Sequence, residues 1–469
     1  MIVPNRPYTY SDFTLSVCSK CLRKVEAKII YENDCVYMLK RCMHHGMEKV
    51  LISTDIPYYQ LCREFIKPSE MPHRWNTPIK YGCPYDCGLC PDHEQHSCLS
   101  IVEITDVCNL QCPICYAESS PKRTTWKDLE TIKQMFDTII KNEKEADVVQ
   151  ISGGEPTIHP QFFEILDEAK KRSIKHLMVN TNGIRIATDE AFVKRLASYK
   201  PGFEIYLQFD SFEEETLLEL RGRDLREVRQ KAITNLNKYN ISTTLVAVLK
   251  KGLNDHEIGK IIKWGTEQKC VRGVTFQPIQ HAGRTENYDP STERLTLSEV
   301  RQEIIKQSEF YSEDDIIPVP CHPDSLAMGY ALKMGGKITP LTSIIDKNVL
   351  LEGERNTIVF ESDEELRNKV FKLFSLNHSP QSGFQGLKDL LCCLPKVILP
   401  SGMGYENVFR VLIMKFQDNY DLDVRSVKKS CVHFVTTDDK MIPFDTYNLF
   451  YRDDKESYLE TLREEIIRN

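Results

Sequence analysis

Apart from Cys35, Cys62 and Cys270, the 17 cysteines of this chain lie in short groups, and that clustering constrains the fold more than any other feature. Thiols used merely as small core residues scatter, whereas grouped thiols in a reducing compartment favour metal over disulfides. The three scattered cysteines read as buried core residues. The sharpest group is Cys108-Asn109-Leu110-Gln111-Cys112-Pro113-Ile114-Cys115-Tyr116. A cubane [4Fe–4S] cluster is held by Cys thiolates. Cysteines separated by three and then two residues can wrap three of its corners and leave the fourth iron for another molecule.

A second segment follows about forty residues on, where Gly153-Gly154-Glu155-Pro156 ends the apolar run Val148 to Ile151. A zinc knuckle and an ordinary glycine turn account for either segment alone. Together, at this separation, they resemble the cluster loop and GGEP segment of radical S-adenosylmethionine (SAM) enzymes. The resemblance implies that Cys108, Cys112 and Cys115 hold the catalytic cluster and that SAM completes its open corner. Tyr116, Gly153, Gly154, Glu155 and Pro156 would then contact SAM, with Glu155 and the adjacent backbone meeting the methionine amine.

Three further cysteine groups remain. Cys18-x-x-Cys21 and Cys42-Met43-His44-His45 are two knuckles flanking a β-like stretch from Lys28 to Leu39, which reads as a ribbon closing on one tetrahedral ion. Cys18, Cys21, Cys42 and His45 are the expected ligands, with His44 the alternative to His45 and mononuclear iron the alternative to zinc. Cys83, Cys87 and Cys90 repeat the gaps of the SAM loop, and Cys98 offers a fourth thiolate. These four are expected to bind a fully ligated auxiliary [4Fe–4S] cluster; zinc is the other reading, and His93 or His96 a substitute ligand. Cys321, the adjacent pair Cys392-Cys393, and Cys431 form a looser group, read as a second auxiliary cluster or as buried free thiols.

Between residues 100 and 310, strand-like runs alternate with amphipathic stretches. The runs are Ile101 to Thr105, Val148 to Ile151, His176 to Asn180, Glu204 to Phe209, Thr243 to Leu249 and Gly273 to Gln277. The expected fold is α/β, a partial (β/α)6 TIM-like barrel whose active site lies at the C-terminal ends of the strands. The cysteine loop follows the first strand and the GGEP segment the second. Asn182, in Asn180-Thr181-Asn182-Gly183, and Asp210, in Gln208-Phe209-Asp210-Ser211, follow the third and fourth. Both are candidates for holding SAM, although turn capping explains either alone. Arg284, beyond the sixth strand, is a candidate partner for a carboxylate or for substrate.

The expected organisation is a metal ribbon (1–60), a cluster segment (61–99), the barrel (100–310) and a separate C-terminal α+β cap (311–469). In the cap, helices are expected over Asp363 to Phe374, Leu387 to Leu394 and Glu406 to Gln417, and β-structure over Cys431 to Thr436 and Met441 to Tyr451. Pro443-Phe444-Asp445-Thr446-Tyr447-Asn448, taken with the cysteine groups, is similar to the class D radical SAM methyltransferases, the branch that holds pterin dimethyltransferases and tetraether lipid synthases. That resemblance covers nearly the whole chain. It implies hydrogen abstraction by a 5′-deoxyadenosyl radical and carbon–carbon bond formation, either methylation of a pterin-like substrate with a folate-type donor or coupling of lipid alkyl chains. It also implies a reductant such as ferredoxin or flavodoxin. A contrasting reading is an electron-transfer iron–sulfur protein, which has no need of a SAM amine site.

Composition sets outer limits. A net charge of −7 gives no general attraction to phosphate backbones, and no basic tract interleaved with aromatics suggests a nucleic-acid partner. No run of eighteen apolar residues and no signal-like N-terminus occurs, so a cytoplasmic protein without a transmembrane segment is expected.

Overall fold

The computed structural model describes residues 6–64, 71–343 except 320 and 335, and 407–468 except 454. The expected helices at Asp363 to Phe374 and Leu387 to Leu394, and the pair Cys392-Cys393, lie outside the described residues.

The N-terminal ribbon is an antiparallel meander of β1 (Thr9–Val17), β2 (Lys24–Glu32), β3 (Cys35–Cys42) and β4 (Gly46–Ser53). The stretch expected as one β-like segment, Lys28 to Leu39, is a hairpin: Asn33 and Asp34 both adopt positive φ and turn the chain between β2 and β3. Short polar side chains tolerate that backbone region best. Helix α1 (Ile56–Glu64) follows.

All six barrel strands form. They are β5 (Leu99–Glu103), β6 (Ala146–Ser152), β7 (Ile174–Thr181), β8 (Phe203–Gln208), β9 (Thr243–Leu249) and β10 (Val271–Pro278), parallel and in sequence order. Every residue of β6 is buried, as expected for a parallel strand covered on both faces. The covering helices include α2 (Leu129–Glu143), α3 (Phe162–Lys170), α4 (Glu190–Leu196), α5 (Glu214–Arg221), α6 (Arg226–Tyr239), α7 (Ile258–Glu267) and α8 (Leu297–Gln307). Asp128 caps α2 by accepting from Thr131 N at 2.8 Å, and Thr296 with Glu299 makes a capping box on α8.

The C-terminal residues join this sheet instead of forming a separate cap. β11 (Leu326–Met334) and β12 (Val408–Met414) extend it beyond β10, β12 being parallel to β10. At the other edge β13 (Val432–Val435) runs parallel to β5, and β14 (Met441–Pro443) completes the edge. The expected helix over Glu406 to Gln417 is therefore corrected to strand β12. Its Val-Phe-Arg-Val-Leu-Ile-Met run is apolar without a helical stripe, and an apolar run of that length is compatible with either element until a sheet edge is there to pair with it. The β-structure expected over Met441 to Tyr451 stops at Pro443, where a helical segment takes over (Phe444 to Tyr451) before α9 (Lys455–Arg468).

Among the described residues no helix is long and apolar enough to cross a membrane.

Candidate active site and metal-ligating cysteines

The cysteine loop leaves the C-terminal end of β5 and is pinned from several sides. Residues 284–285 pair antiparallel with 114–115, and Arg284 donates to Cys112 O at 2.5 Å and Ser119 O at 2.9 Å. Arg284, a candidate for pairing with a carboxylate or substrate, thus clamps the loop backbone. The glycines after β6 fit against the same loop: a Cβ on Gly153 would fall 2.2 Å from Thr105 O, and one on Gly154 2.2 Å from Val107 O. Gly153, at φ +125°, also needs a backbone that only glycine adopts readily. Gly154 N and Glu155 N then donate to those same carbonyls at 2.8 and 2.9 Å. The two sequence segments are one built unit.

They open onto a cavity of about 1270 Å³ lined by Cys108, Cys112, Cys115, Tyr116, Gly153, Gly154, Glu155 and Asn182. Burial pushes the Cys108 thiol up to about 12, so its thiolate form calls for a bound cation. Three buried or half-buried thiols beside a cavity, with a glycine cradle that admits no side chain, suit a cluster carrying a bulky ligand on its free iron.

Glu155 lines the cavity, yet its carboxylate is already engaged. It accepts from Thr157 N and Oγ1 (3.1 and 2.6 Å), Thr181 Oγ1 (2.7 Å) and Asn182 N (2.8 Å). Burial raises its pKa, and these donors oppose the shift. Asn182 extends the link, donating from Nδ2 to Asn109 Oδ1 at 2.6 Å inside the cysteine loop. Pro156 opens the short turn Pro156–Ile158 and does not line the cavity.

Asp210 does not line it either. It is fully buried, at φ +65°, and is ion-paired with Arg221 (Nε at 2.7 Å) and Arg229 (Nη2 at 3.4 Å). Burial acts to raise its pKa, but the two guanidiniums outweigh this and hold the carboxyl below the usual range. The structure thus puts Arg221 and Arg229, which the sequence reading passed over, at the cavity wall. Arg221 ends α5, where an arginine ordinarily reads as a surface complement to the helix dipole. Only its contact with an aspartate at the end of β8 distinguishes it.

Gln150, Asn180, Gln208 and Gln277, on the barrel strands, and Gln280, just beyond β10, all line the cavity. Gln208 donates to Asn180 Oδ1 at 2.9 Å and Gln277 to Tyr206 Oη at 3.1 Å. The opposite wall is aromatic. Phe416 stacks on Phe444 at 3.6 Å, and Tyr116 meets Phe444 at 5.1 Å. Arg452 is held by Glu103 (3.0 and 3.1 Å) and Asn448 (2.9 Å), with its guanidinium carbon 5.4 Å from the Tyr116 ring centre. The C-terminal segment singled out in the sequence thus closes the site around Tyr116.

The other cysteine groups regroup in part. Cys18, Cys21, Cys42 and His45 bring their ligand atoms within 4.8 Å of one another, and His45 Nδ1 lies 3.5 Å from Cys18 Sγ and 3.6 Å from Cys42 Sγ. For Cys42, burial opposes ionisation, but hydrogen bonds from His44, His45 and Cys18 bring the thiol down to about 6, while burial pushes the neighbouring Cys18 thiol up. Cys83, Cys87 and Cys90 share a loop ordered by Asp86, whose carboxylate accepts from the Lys80, Tyr81 and Gly82 amides. Cys98 is not with them. It packs against Cys321 and Cys431, all three Sγ atoms within 4.8 Å and all three residues buried. The cause is strand register: Leu99 pairs with Val432, which sets Cys98 level with Cys431. The expected four-thiolate set is corrected accordingly: Cys98 lies with two cysteines of the third group, and the Cys83, Cys87 and Cys90 thiols do not all come within 4.8 Å of one another.

The comparisons with known proteins fit this arrangement. Residues 102–265 match the model of the radical SAM superfamily, and residues 10–54 match that of the HMPTM N-terminal zinc ribbon domain. A 7,8-dihydro-6-hydroxymethylpterin dimethyltransferase from Methanocaldococcus jannaschii is 31% identical over 488 residues, covering 94% of each chain. The chain belongs to this family. It is a radical SAM enzyme of the methyltransferase kind, and a [4Fe–4S] cluster and SAM are the cofactors of its superfamily. A GTP 3′,8-cyclase from Haemophilus influenzae is 27% identical over 199 residues, 40% of this chain and 55% of that one. A solved structure, Streptococcus suis SuiB bound to S-adenosylmethionine, aligns with a TM-score of 0.35 at 20% identity over 41% of this chain and 44% of that one.

Proposed function

We propose that the enzyme methylates a pterin-like ring, forming a carbon–carbon bond at an unactivated ring carbon with a folate-type one-carbon donor. A low-potential protein such as ferredoxin or flavodoxin is the proposed reductant. The supporting observation is the set of five carboxamides, Gln150, Asn180, Gln208, Gln277 and Gln280, lining the cavity beside the cysteine loop. The amino-oxo pyrimidine edge of a pterin alternates donors and acceptors, and carboxamides carry both. A second cavity, of about 520 Å³, meets the first at Leu99, Tyr206 and Met414 and is largely apolar. Its lining includes Arg410, which is ion-paired with Glu204 at 2.5 Å. A charged pair in the wall suits a short ring system better than the long alkyl chains of a tetraether-type coupling.

In this reading Cys108, Cys112 and Cys115 hold the catalytic cluster, which when bound supplies the electron that breaks a carbon–sulfur bond of SAM. The Gly153-Gly154 backbone sets the floor for the methionine moiety, and Glu155 fixes the strand ends around it. Arg221, beside Cys112, offers a charge for the methionine carboxylate, with Arg229 deeper in the wall. Tyr116, held by Arg452 and Phe444, forms the wall toward adenosine. Cys83, Cys87 and Cys90 are assigned to one auxiliary centre, Cys98, Cys321 and Cys431 to another, and Cys18, Cys21, Cys42 and His45 to one zinc or iron ion.

Arg221→Gln is expected to weaken SAM binding about 10- to 100-fold, the range for losing one hydrogen bond to a charged group. Equilibrium binding to the anaerobically reconstituted protein measures this, and an unchanged affinity removes Arg221 from the SAM site. The substrate reading is tested by incubating reduced enzyme with SAM, methylenetetrahydrofolate and 6-hydroxymethyl-7,8-dihydropterin. Mass spectrometry should find product heavier by one or two methyl groups. If lipid extracts are consumed instead and the pterin is not, the ring reading fails.

A further inference from the structure

A separate cleft of about 770 Å³ opens between the ribbon and the C-terminal helix, and it meets the active-site cavity at Ala282. Lys20, Lys455 and His281 lie in its lining, which among the described residues includes no carboxylate, in a chain whose net charge is −7. Lys20 is exposed, and among the described residues it has no carboxylate partner. It sits in the knuckle between Cys18 and Cys21, two of the four residues whose ligand atoms meet within 4.8 Å, so an ion held there would fix the turn that presents it. Two further contacts tie that turn to the site: Asn419 donates to Ser19 O at 2.6 Å, and Tyr458 to Cys21 O at 3.0 Å. Lys455 Nζ is anchored 2.6 Å from Asn448 O, in the segment whose Asn448 side chain donates to Gln280 at 3.1 Å. The cleft floor is apolar, formed by Leu22, Leu449 and Phe450.

We propose that this cleft is an anion subsite of the active-site pocket, taking the phosphate or carboxylate group of a molecule whose reacting end lies beside the cysteine loop. Lysine ammonium groups on a partly apolar surface recognise such groups as point charges. The inference rests on the ring-methylation reading for the identity of that molecule. Two sources share the chemistry: a phosphate ester on the ring substrate, and the glutamyl carboxylates of the one-carbon donor. On either source the metal ribbon does more than fold, because its knuckle is part of the substrate site.

The test titrates the anaerobically reconstituted full chain by calorimetry as wild type, Lys20→Glu and Lys455→Gln. The probes are inorganic diphosphate, 6-hydroxymethyl-7,8-dihydropterin, its diphosphate ester, and polyglutamylated tetrahydrofolate. Diphosphate should bind the wild type and lose about tenfold or more in affinity in Lys20→Glu, the effect of one charge-assisted contact. Whichever organic anion loses the same factor identifies the source, while affinity for the neutral pterin stays constant. Metal content and circular dichroism of the variants serve as controls for folding. Equal diphosphate binding by wild type and both variants overturns the subsite, even if the neutral pterin binds and the ring reading stands. Failure of every pterin to bind, with Lys20-dependent diphosphate binding intact, sinks the ring reading and leaves the subsite in place.

Discussion

Replacing Cys112 by Ala is expected to abolish 5′-deoxyadenosine formation by the reduced, reconstituted enzyme. The effect should be all or nothing because three thiolates are the minimum that hold a cubane while leaving one iron open, and among the described residues no other cysteine lines this cavity. Cys112 is the middle cysteine of the loop, its carbonyl clamped by Arg284 and its thiol beside Arg221. A neutral methyl in its place removes the ligand while leaving the antiparallel pairing of residues 114–115 with 284–285 able to form. The folded protein should therefore persist with the iron of its catalytic cluster lost and its other metals retained. Liquid chromatography of the quenched reaction reads the product directly, and cleavage at the wild-type rate would show that the loop is not the SAM site.

The second large effect concerns where Cys98 belongs. Cys87→Ala and Cys98→Ala should each reduce bound metal by the content of one centre, and the double variant should lose the sum. That expectation follows from strand register: Cys98 directly precedes β5, Cys431 directly precedes β13, and the pairing of Leu99 with Val432 joins them, with Cys321 completing a buried trio. Were Cys98 the fourth ligand of the Cys83 loop, both single variants would empty the same centre and the double variant would lose no more than either. Metal analysis with Mössbauer spectroscopy separates the outcomes, and circular dichroism checks that Cys98, fully buried, leaves the fold intact when replaced. SAM cleavage should survive in all three variants, whereas methylated product should disappear.

Much of this was legible in the sequence because its signals are local. The six barrel strands announce themselves as short apolar runs between helical stripes, and the cysteine loop, the glycine cradle and each knuckle of the ribbon are set by spacing within a few residues. What escaped depends on contacts between distant segments. Cys98 stands eight residues after Cys90, and nothing in the sequence reveals that sheet register draws it toward Cys431 instead. Residues 408–414 pair beside β10 only after the chain has crossed well over a hundred positions, so their apolar run reads equally as a helix. Asp210 is a candidate for holding SAM by its place after the fourth strand; the structure buries it and pairs it with Arg221 and Arg229 instead. Arg221 itself carries no sequence signal beyond an arginine at a helix end.

The central claim is that one iron beside Cys108, Cys112 and Cys115 is open to SAM. The most direct measurement is the electron paramagnetic resonance spectrum of the reduced, anaerobically reconstituted Cys87→Ala/Cys98→Ala protein, recorded before and after adding SAM, with the auxiliary signals thereby diminished. The account predicts a clear change in the g-values of the remaining cluster signal as the amine and carboxylate reach the open iron. A spectrum unmoved by saturating SAM would contradict it.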